Sequence, residues 1–157
     1  LIIGPYSTET GGAGDSYLQE LKLLAKSTNT FFQEPIFDID ELGEIYAKAS
    51  IFVYPSIAEK GETFGVSPLE AMSWGCATIV SNLDCFKDFL IHNKTGLCFD
   101  HRSEKRVVML KYCLEYLMNN PILMNDIATA GLKVNETHSN EKIATEFLAE
   151  FESMKIK

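Results

Sequence analysis

Short apolar runs alternate with amphipathic segments along the first hundred residues. The spacing of apolar residues in YLQELKLLAK (17–26) and DELGEIYAKA (40–49) predicts helices, and Asp38 with Glu41 forms a capping box before the second of them. Pro68 to Trp74 reads as a further helix that ends at Gly75. The apolar runs, some of them rich in β-branched and aromatic residues, predict strands at LII (1–3), TFFQ (30–33), IFVYP (51–55), ATIVS (77–81) and LCF (97–99).

This alternation predicts an α/β fold. Strand, helix, strand units imply right-handed crossovers, and therefore a Rossmann-like parallel sheet with helices on both faces. IFVYP is apolar throughout, so we expect both of its faces to be buried. CFKDFLIHN (85–93) also looks helical, and from Ser103 onward the pattern predicts a helical C-terminal tail that Pro121 interrupts. We expect residues 1–157 to form a single domain.

Ligands of such sheets bind beyond the carboxyl ends of the strands, where GETFGVSPLE (61–70) lies after IFVYP. Ser67 is a natural N-cap, Pro68 suits the first helical position, and Glu70 would then complete a capping box. Gly65 indicates a positive φ or a close backbone approach. Glu62 precedes the helix and has no capping role, so it is either a solvated loop residue or a functional one.

Composition and charge narrow the classes of partner. The chain has 14 basic and 22 acidic residues, a net charge of -8, which argues against nucleic acid or an anionic membrane as a broad partner. No apolar run approaches the roughly 20 residues of a membrane span.

The four cysteines form no C-x-x-C pair and are interpreted as reduced, buried thiols, which suits the cytoplasm. The three histidines show no metal-ligand spacing, so no metal site is predicted.

The wider segment carries a resemblance to a known family. IFVYPS, then ETFGVSPLEAMSWGCATIVS, then NKTGLCF have the order found in the carboxyl-terminal domain of retaining glycosyltransferase family 4, which has the GT-B fold. The shared pattern is a strand ending in Pro-Ser, a Glu, seven residues, a second Glu, Ala-Met, a helix ending in Gly, a strand and a Thr-Gly turn. The resemblance runs from residue 1 to about residue 100.

The resemblance implies a site for a nucleoside diphosphate sugar and a transferase activity. It implies that Glu62, the candidate catalytic residue, contacts hydroxyls of the donor sugar and that Glu70 binds the ribose hydroxyls. Charged hydrogen bonds of this kind are the stronger ones. The other substrate-binding residues that it implies fall into two groups. Thr63, Phe64, Gly65 and Val66 lie in the turn near the sugar and the diphosphate. Gly4 and Ile36 are backbone positions that follow predicted strands.

Three departures from the family pattern bear on the ligand. Asp84-Cys85 stands where the family often has Gly-Gly, near the sugar or acceptor, and PIF (35–37) stands where it usually has Gly-x-Val beside the base. The family also carries an Arg and a Lys upstream of its LII-type strand that grip the diphosphate. The arginines of this chain are Arg102 and Arg106, beyond the last predicted strand.

The resemblance also implies the partners of the chain. These are a nucleotide-sugar donor and an amino-terminal acceptor-binding domain, with no metal and no other cofactor. We expect the chain to be a fragment of such a two-domain enzyme, with a separate subunit as the alternative, and to be inactive without the acceptor domain. The expected location is the cytoplasm, with peripheral membrane contact through the acceptor domain. A non-catalytic binding module and a nucleotide-sugar epimerase relative stay open as alternatives, although a scaffold would not need Glu62.

Overall fold

A computed structural model of the chain describes residues 1–154. The chain forms two compact units, Leu1–Glu44 and a second that begins at Ile45. The predicted α/β class is confirmed, because both units contain parallel strands and the chain ends in a series of helices. The single domain over 1–157 stays a prediction, and its last three residues lie outside the described part of the chain.

The first unit contains two short strands and a helix. Strand β1 (Ile2–Ile3) pairs in parallel with β2 (Phe32–Gln33), with Ile2 opposite Phe32. A 3₁₀ turn (Thr8–Thr10) and helix α1 (Asp15–Leu24) connect them. Helix α2 (Ile39–Lys48) begins in this unit. The Oδ1 atom of Asp38 accepts hydrogen bonds from the amides of Asp40 at 3.0 Å and Glu41 at 2.9 Å, which confirms Asp38 as the cap.

The second unit is built on a three-stranded parallel sheet. Its strands are β3 (Ile51–Tyr54), β4 (Ala77–Ser81) and β5 (Leu97–Phe99), in the order β3-β4-β5. All five residues of β4 are buried, as expected for the central strand. The prediction that β3 is buried on both faces is wrong for this unit, since all four of its residues are partly exposed. The reason is that β3 is an edge strand of the sheet.

Helices cover both faces of this sheet. Alternate side chains of a strand point to opposite faces, and the neighbours Ile79 and Val80 accordingly belong to different core clusters. Val80 packs with Met72 of helix α3 (Val66–Ser73), whereas Ile79 packs with Leu117 and Ile127. The last two residues lie on helices α4 (Arg106–Met118) and α5 (Pro121–Gly131), and the tail continues as α6 (Val134–Thr137) and α7 (Asn140–Met154).

Two local predictions are corrected and one is confirmed. The segment predicted as helical from Cys85 forms a shorter 3₁₀ helix, Asp84–Asp88. All four cysteines are free thiols, but only Cys76 and Cys113 are buried, while the other two are partly exposed. Pro121 does separate two helices, because it occupies the first turn of α5.

No helix within residues 1–154 is long and apolar enough to cross a membrane.

Candidate functional site

The turn at Gly65 starts helix α3 two residues earlier than the sequence suggested. Gly65 is the N-cap, with φ 86° and ψ 67°, and the helix begins at Val66. The predicted capping box of Ser67 and Glu70 is therefore wrong, and no side chain caps the helix. The left-handed conformation of Gly65 turns the chain into the helix without a side-chain acceptor. Glu70 consequently lies beyond the first turn, and capping does not explain its presence.

The surroundings of Gly65 require glycine for a second reason. The ring of Phe86, which follows β4, lies directly beneath the turn. A Cβ atom on Gly65 would stand 2.4 Å from Cε1 of Phe86, far inside van der Waals contact. Phe86 is itself only 1% exposed and forms part of the core. The predicted close backbone approach is therefore confirmed, and its partner is an aromatic ring that cannot easily move.

The backbone around this turn offers a row of free donors. None of the amides from Thr63 to Ser67 donates a hydrogen bond to another group within the described part of the chain. The next residue, Pro68, has no amide hydrogen, and the first helical bond runs from the amide of Leu69 to the carbonyl of Gly65 at 3.4 Å. Free amides at a glycine turn and a helix start are a common binding site for phosphate groups.

The side chains of the turn point in different directions. Phe64 packs against the core, with its ring centroid 5.4 Å from that of Phe89 and 6.1 Å from that of His138. Thr63 and Val66 are exposed. Because the Phe64 side chain is committed to packing, only its backbone is available to a ligand.

Tyr54 holds the carboxylate of Glu62. Its hydroxyl, at the carboxyl end of β3, donates a hydrogen bond to Oε2 of Glu62 at 2.8 Å. Burial, followed by the hydrogen bond and the charge of Glu62, raises the pKa of Tyr54 to about 12. The phenol therefore stays protonated and remains a donor at neutral pH. Oε2 of Glu62 accepts the bond from Tyr54, and Oε1, which has no hydrogen-bond partner among residues 1–154, is able to accept hydrogen bonds from the hydroxyl groups of a ligand.

Tyr46 of helix α2 plays the corresponding part for Glu70. Burial, followed by the charge of Glu70, raises the pKa of Tyr46 to about 12, and a hydrogen bond to Glu70 contributes as well. Tyr46 is 7% exposed and Glu70 is partly buried, so the two groups influence each other at the edge of the core. Sequence reasoning missed both tyrosines. Tyr54 stands in the apolar run IFVYP and Tyr46 in the amphipathic segment DELGEIYAKA, and only the fold shows which carboxylate each tyrosine approaches.

The loop between β3 and Gly65 is tied down at its beginning. The hydroxyl of Ser81, at the end of β4, donates to the carbonyl of Ser56. The hydroxyl oxygen of Ser56 accepts from the amide of Ala58 at 3.3 Å, and the carbonyl of Ala58 accepts from the amide of Glu62 at 3.3 Å. These bonds form a chain from the buried central strand to Glu62.

Gly4 and Ile36, the remaining predicted residues, belong to the first unit. Gly4 follows β1, and its amide donates to the carbonyl of Gln33 at 3.2 Å. It lines a cleft of about 300 Å³ at the carboxyl ends of β1 and β2, together with Tyr6 and Glu34. A hydrogen bond with Glu34 raises the pKa of Tyr6. Ile36 is partly buried.

Within residues 1–154, no group of three or more His, Cys, Asp or Glu side chains has the arrangement of a metal site.

Comparison with known families supports the resemblance. The family described as Glycosyl transferases group 1 matches residues 1–134 of the chain. A stretch of 65 residues is 42% identical to the O-antigen chain mannosyltransferase RfbU of Salmonella typhimurium, covering 41% of this chain and 17% of that protein.

Solved structures of glycosyltransferases share the fold. Sucrose-phosphate synthase from Thermosynechococcus elongatus is similar with a TM-score of 0.80 and 20% identity over 98% of this chain and 38% of that one. Anabaena HepE, solved in complex with UDP-glucose, is similar with a TM-score of 0.72 and 16% identity over 97% of this chain and 40% of that one. The C-terminal domain of LpcC from Francisella tularensis, a glycosyl transferase group 1 protein, has a TM-score of 0.62 and 23% identity, over 79% and 63% of the two chains. The chain thus spans about two fifths of the first two structures and less than a fifth of RfbU.

Proposed function

The chain belongs to the group 1 glycosyltransferase family, and on that premise we propose that it binds the nucleotide-sugar donor in a retaining glycosyltransferase. The complete enzyme transfers a sugar from a nucleoside diphosphate to an acceptor hydroxyl. The bond between the anomeric carbon and the diphosphate breaks, and a bond from the same face of that carbon to the acceptor oxygen forms.

One observation carries this proposal. A row of free amides at the Gly65 turn is flanked by two carboxylates, of which Glu62 accepts a hydrogen bond from Tyr54 and Glu70 raises the pKa of the buried Tyr46. Amides suit a diphosphate, whereas ionised carboxylates accept hydroxyl groups and repel phosphates. A ligand that carries hydroxyls on both sides of a diphosphate matches this sequence of groups. A nucleoside diphosphate sugar is such a ligand.

Each residue then has a distinct role. Glu62 accepts hydrogen bonds from hydroxyl groups of the transferred sugar. It is the catalytic residue, because the positive charge of the transition state develops on that sugar. Glu70 accepts hydrogen bonds from the ribose hydroxyl groups. The backbone of Thr63, Phe64, Gly65 and Val66 faces the sugar and the diphosphate. Gly4 and Ile36, in the first unit, stay predicted contacts of the nucleotide.

The acceptor is bound by another domain of the complete enzyme. The chain spans 38% and 40% of two structurally similar proteins, which supports an acceptor-binding domain outside it. We propose that the reaction needs that domain, that it uses no metal or other cofactor, and that the enzyme works in the cytoplasm with peripheral contact to the inner face of the membrane.

The decisive test is a pair of titrations, with a nucleoside diphosphate and with its sugar ester, on wild type and Glu62→Ala. UDP, GDP and ADP compounds are screened first to choose the base. Losing a charged hydrogen bond costs about 1.5–3 kcal/mol, so kcat/KM of the complete enzyme should fall roughly 10- to 100-fold. Affinity for the free nucleoside diphosphate should not change. Glu20→Ala, in an exposed position of α1, is the control and should change neither.

Different results favour different functions. An equal loss for both ligands would place Glu62 on the phosphate or ribose side. Product analysis separates the alternatives: a transferase yields a glycoside with the donor's anomeric configuration, an epimerase alters the nucleotide-bound sugar, and a binding module turns nothing over. Activity that persists after treatment with EDTA supports the metal-independent reaction. Activity lost to EDTA and restored by Mg²⁺ or Mn²⁺ would contradict it.

A further inference from the structure

Three side chains outside the proposed donor contacts form a cluster that we name the Glu59 clasp: Glu59, His101 and Arg102. Nε of Arg102 lies 2.7 Å from Oε1 of Glu59, and its terminal NH2 group lies 2.8 Å from Oε2. Nε2 of His101 lies 2.8 Å from Oε1 of Glu59. A planar guanidinium that meets both carboxylate oxygens forms the stronger, bidentate kind of ion pair.

The clasp joins the segments that follow all three strands of the sheet. Glu59 lies in the loop after β3, and His101 and Arg102 follow β5. The remaining terminal nitrogen of Arg102, NH1, donates to the carbonyl of Asn82 after β4 at 2.8 Å. The carboxylate of Asp100 accepts from the amide of Arg102 at 3.0 Å and fixes the backbone there. Contacts between residues 43 positions apart therefore hold the ligand edge of this sheet together.

The environment of His101 favours one position for its ring hydrogen. Its side chain is 3% exposed, and its Nδ1 atom is buried without a hydrogen-bond partner among residues 1–154. A hydrogen on Nδ1 would be a buried donor without an acceptor, which is costly. A hydrogen on Nε2 instead is donated to Oε1 of Glu59. The pKa of Glu59 lies below the ordinary value for a glutamate, first because of the bond from His101 and then because of Arg102.

Glu59 lies within the turn that ends at Glu62. The amide of Glu59 donates to the carbonyl of Ile57 at 3.0 Å, and the amide of Glu62 donates to the carbonyl of Ala58 at 3.3 Å. Fixing the side chain of Glu59 therefore fixes the turn from Ala58 to Glu62. The Gly65 end of the loop is held separately, by its packing over Phe86.

We propose that Arg102 and His101 are positioning residues, which hold Glu59 and through its turn set Glu62 in place for the donor sugar. The inference rests on the proposed function of Glu62. Arg102 has all three guanidinium nitrogens committed within the protein, so it does not serve as a phosphate ligand. Its loss should thus affect the sugar more than the diphosphate.

The test uses the complete enzyme that contains this chain and compares Arg102→Gln, Glu59→Gln and the double variant. We expect kcat/KM for the nucleotide-sugar to fall 5- to 50-fold in each single variant, with affinity for the nucleoside diphosphate changed less than 2-fold. The double variant should be no worse than the poorer single one, because the two residues act as a unit. Arg106→Gln, at the only other arginine, is the matched control and should behave as wild type.

Amide hydrogen exchange of the free enzyme provides the readout for positioning. Exchange in residues 57–62 should accelerate at least 5-fold in Arg102→Gln, while the amides of β4 exchange as before. His101→Gln keeps a donor for Glu59 and should retain more activity than His101→Leu. Unchanged loop exchange, additive losses in the double variant, or an equal loss of affinity for both ligands would overturn the inference.

The exchange experiment needs no donor, so it separates this inference from the proposed function. If Glu62→Ala weakens sugar binding but hydrogen exchange in the loop is the same in the clasp variants as in wild type, the positioning inference fails and the proposed function stands. If loop exchange depends on the clasp but Glu62→Ala has no effect on donor use, the proposed role of Glu62 fails, and the positioning role fails with it.

Discussion

The two glutamates of the site are supported in different ways. Glu70 stands on helix α3 and meets Tyr46 of helix α2, so a partner on a second helix orients a side chain on a regular element. Glu62 stands in a loop and depends on Tyr54, on the bond to Ala58 and on the Glu59 clasp. A side chain on a helix inherits its position from the fold, whereas a side chain on a loop needs its own supports. The glutamate proposed to contact the reacting sugar is thus the one with more dedicated contacts.

Gly65→Ala breaks the segment between the two glutamates and should have the largest effect. A Cβ atom there meets Phe86 at 2.4 Å, at a φ of 86° that non-glycine residues rarely adopt. We expect the free energy of unfolding to fall by about 2–5 kcal/mol, measured by urea denaturation. Nucleotide binding should also be lost. The control is Gly61→Ala, where the nearest atom is Cβ of Ala58 at an ordinary 3.7 Å, and a matching loss there would refute the steric argument.

Substitutions of Glu70 test the helical side of the comparison. Glu70→Gln retains an oxygen that can accept a hydrogen bond from Tyr46, whose raised pKa reflects its interaction with Glu70, so its melting temperature should match wild type. Glu70→Ala removes this acceptor beside the buried Tyr46 and should lower the free energy of unfolding by about 1–3 kcal/mol. Calorimetry measures both. In contrast to Glu62→Ala, Glu70→Ala should weaken a nucleoside diphosphate and its sugar ester equally, by about 10-fold. Equal melting of the two variants would dismiss the role of Tyr46.

Removing the tyrosine hydroxyls sharpens the comparison with minimal change in shape. Tyr54→Phe loses the 2.8 Å bond to Glu62 and should reduce kcat/KM about 3- to 10-fold with unchanged nucleotide affinity. Tyr46→Phe should reduce affinity for both ligands by a similar factor. Steady-state kinetics with a nucleotide titration decides between these patterns. If both variants show the same pattern, the two carboxylates do not read different parts of the donor.

Alkaline titration gives the smallest effect. Tyr46 and Tyr54 each have a pKa raised to about 12 from an ordinary 10, so they favour the folded state below pH 10. That contribution is lost as the pH rises through about 12, and the free energy of unfolding should fall across this window. Near-ultraviolet absorbance of the phenolates should show both titrating late among the six tyrosines. Each Tyr→Phe variant should remove one late step, and an unaltered curve would contradict the assignment.

The sequence predicted the strands well for a simple reason. ATIVS and IFVYP are short apolar runs bounded by turn residues, and their local pattern leaves few alternatives. Gly65 was also identified from local chemistry. The predicted capping box is wrong because Ser67, Pro68 and Glu70 match the motif by sequence alone, and the motif does not reveal that the helix begins before Ser67. The left-handed conformation of Gly65 sets the start, and the ring of Phe86, 21 positions away, leaves no space there for any other side chain.

The supports of Glu62 were beyond sequence reasoning for the same reason. Tyr54 and Glu62 are eight residues apart, and Glu59 and Arg102 are 43 apart. No periodicity connects such positions, because the intervening loop has no regular geometry. The sequence distinguishes Arg102 only as one of two arginines. The fold brings it to its partners by placing the carboxyl ends of β3, β4 and β5 side by side.

The contact between Gly65 and Phe86 also bears on how such a site changes in evolution. Phe86 follows Asp84 and Cys85, the segment that departs from the pattern of related enzymes, and its ring fills the space beneath the turn. A side chain at 65 needs both a smaller residue at 86 and a backbone released from its φ of 86°, and a smaller residue at 86 leaves a cavity that Gly65 does not fill. Neither single step is neutral, so the two segments are expected to vary together among homologues, and a lineage that altered one would be recognised by its change at the other.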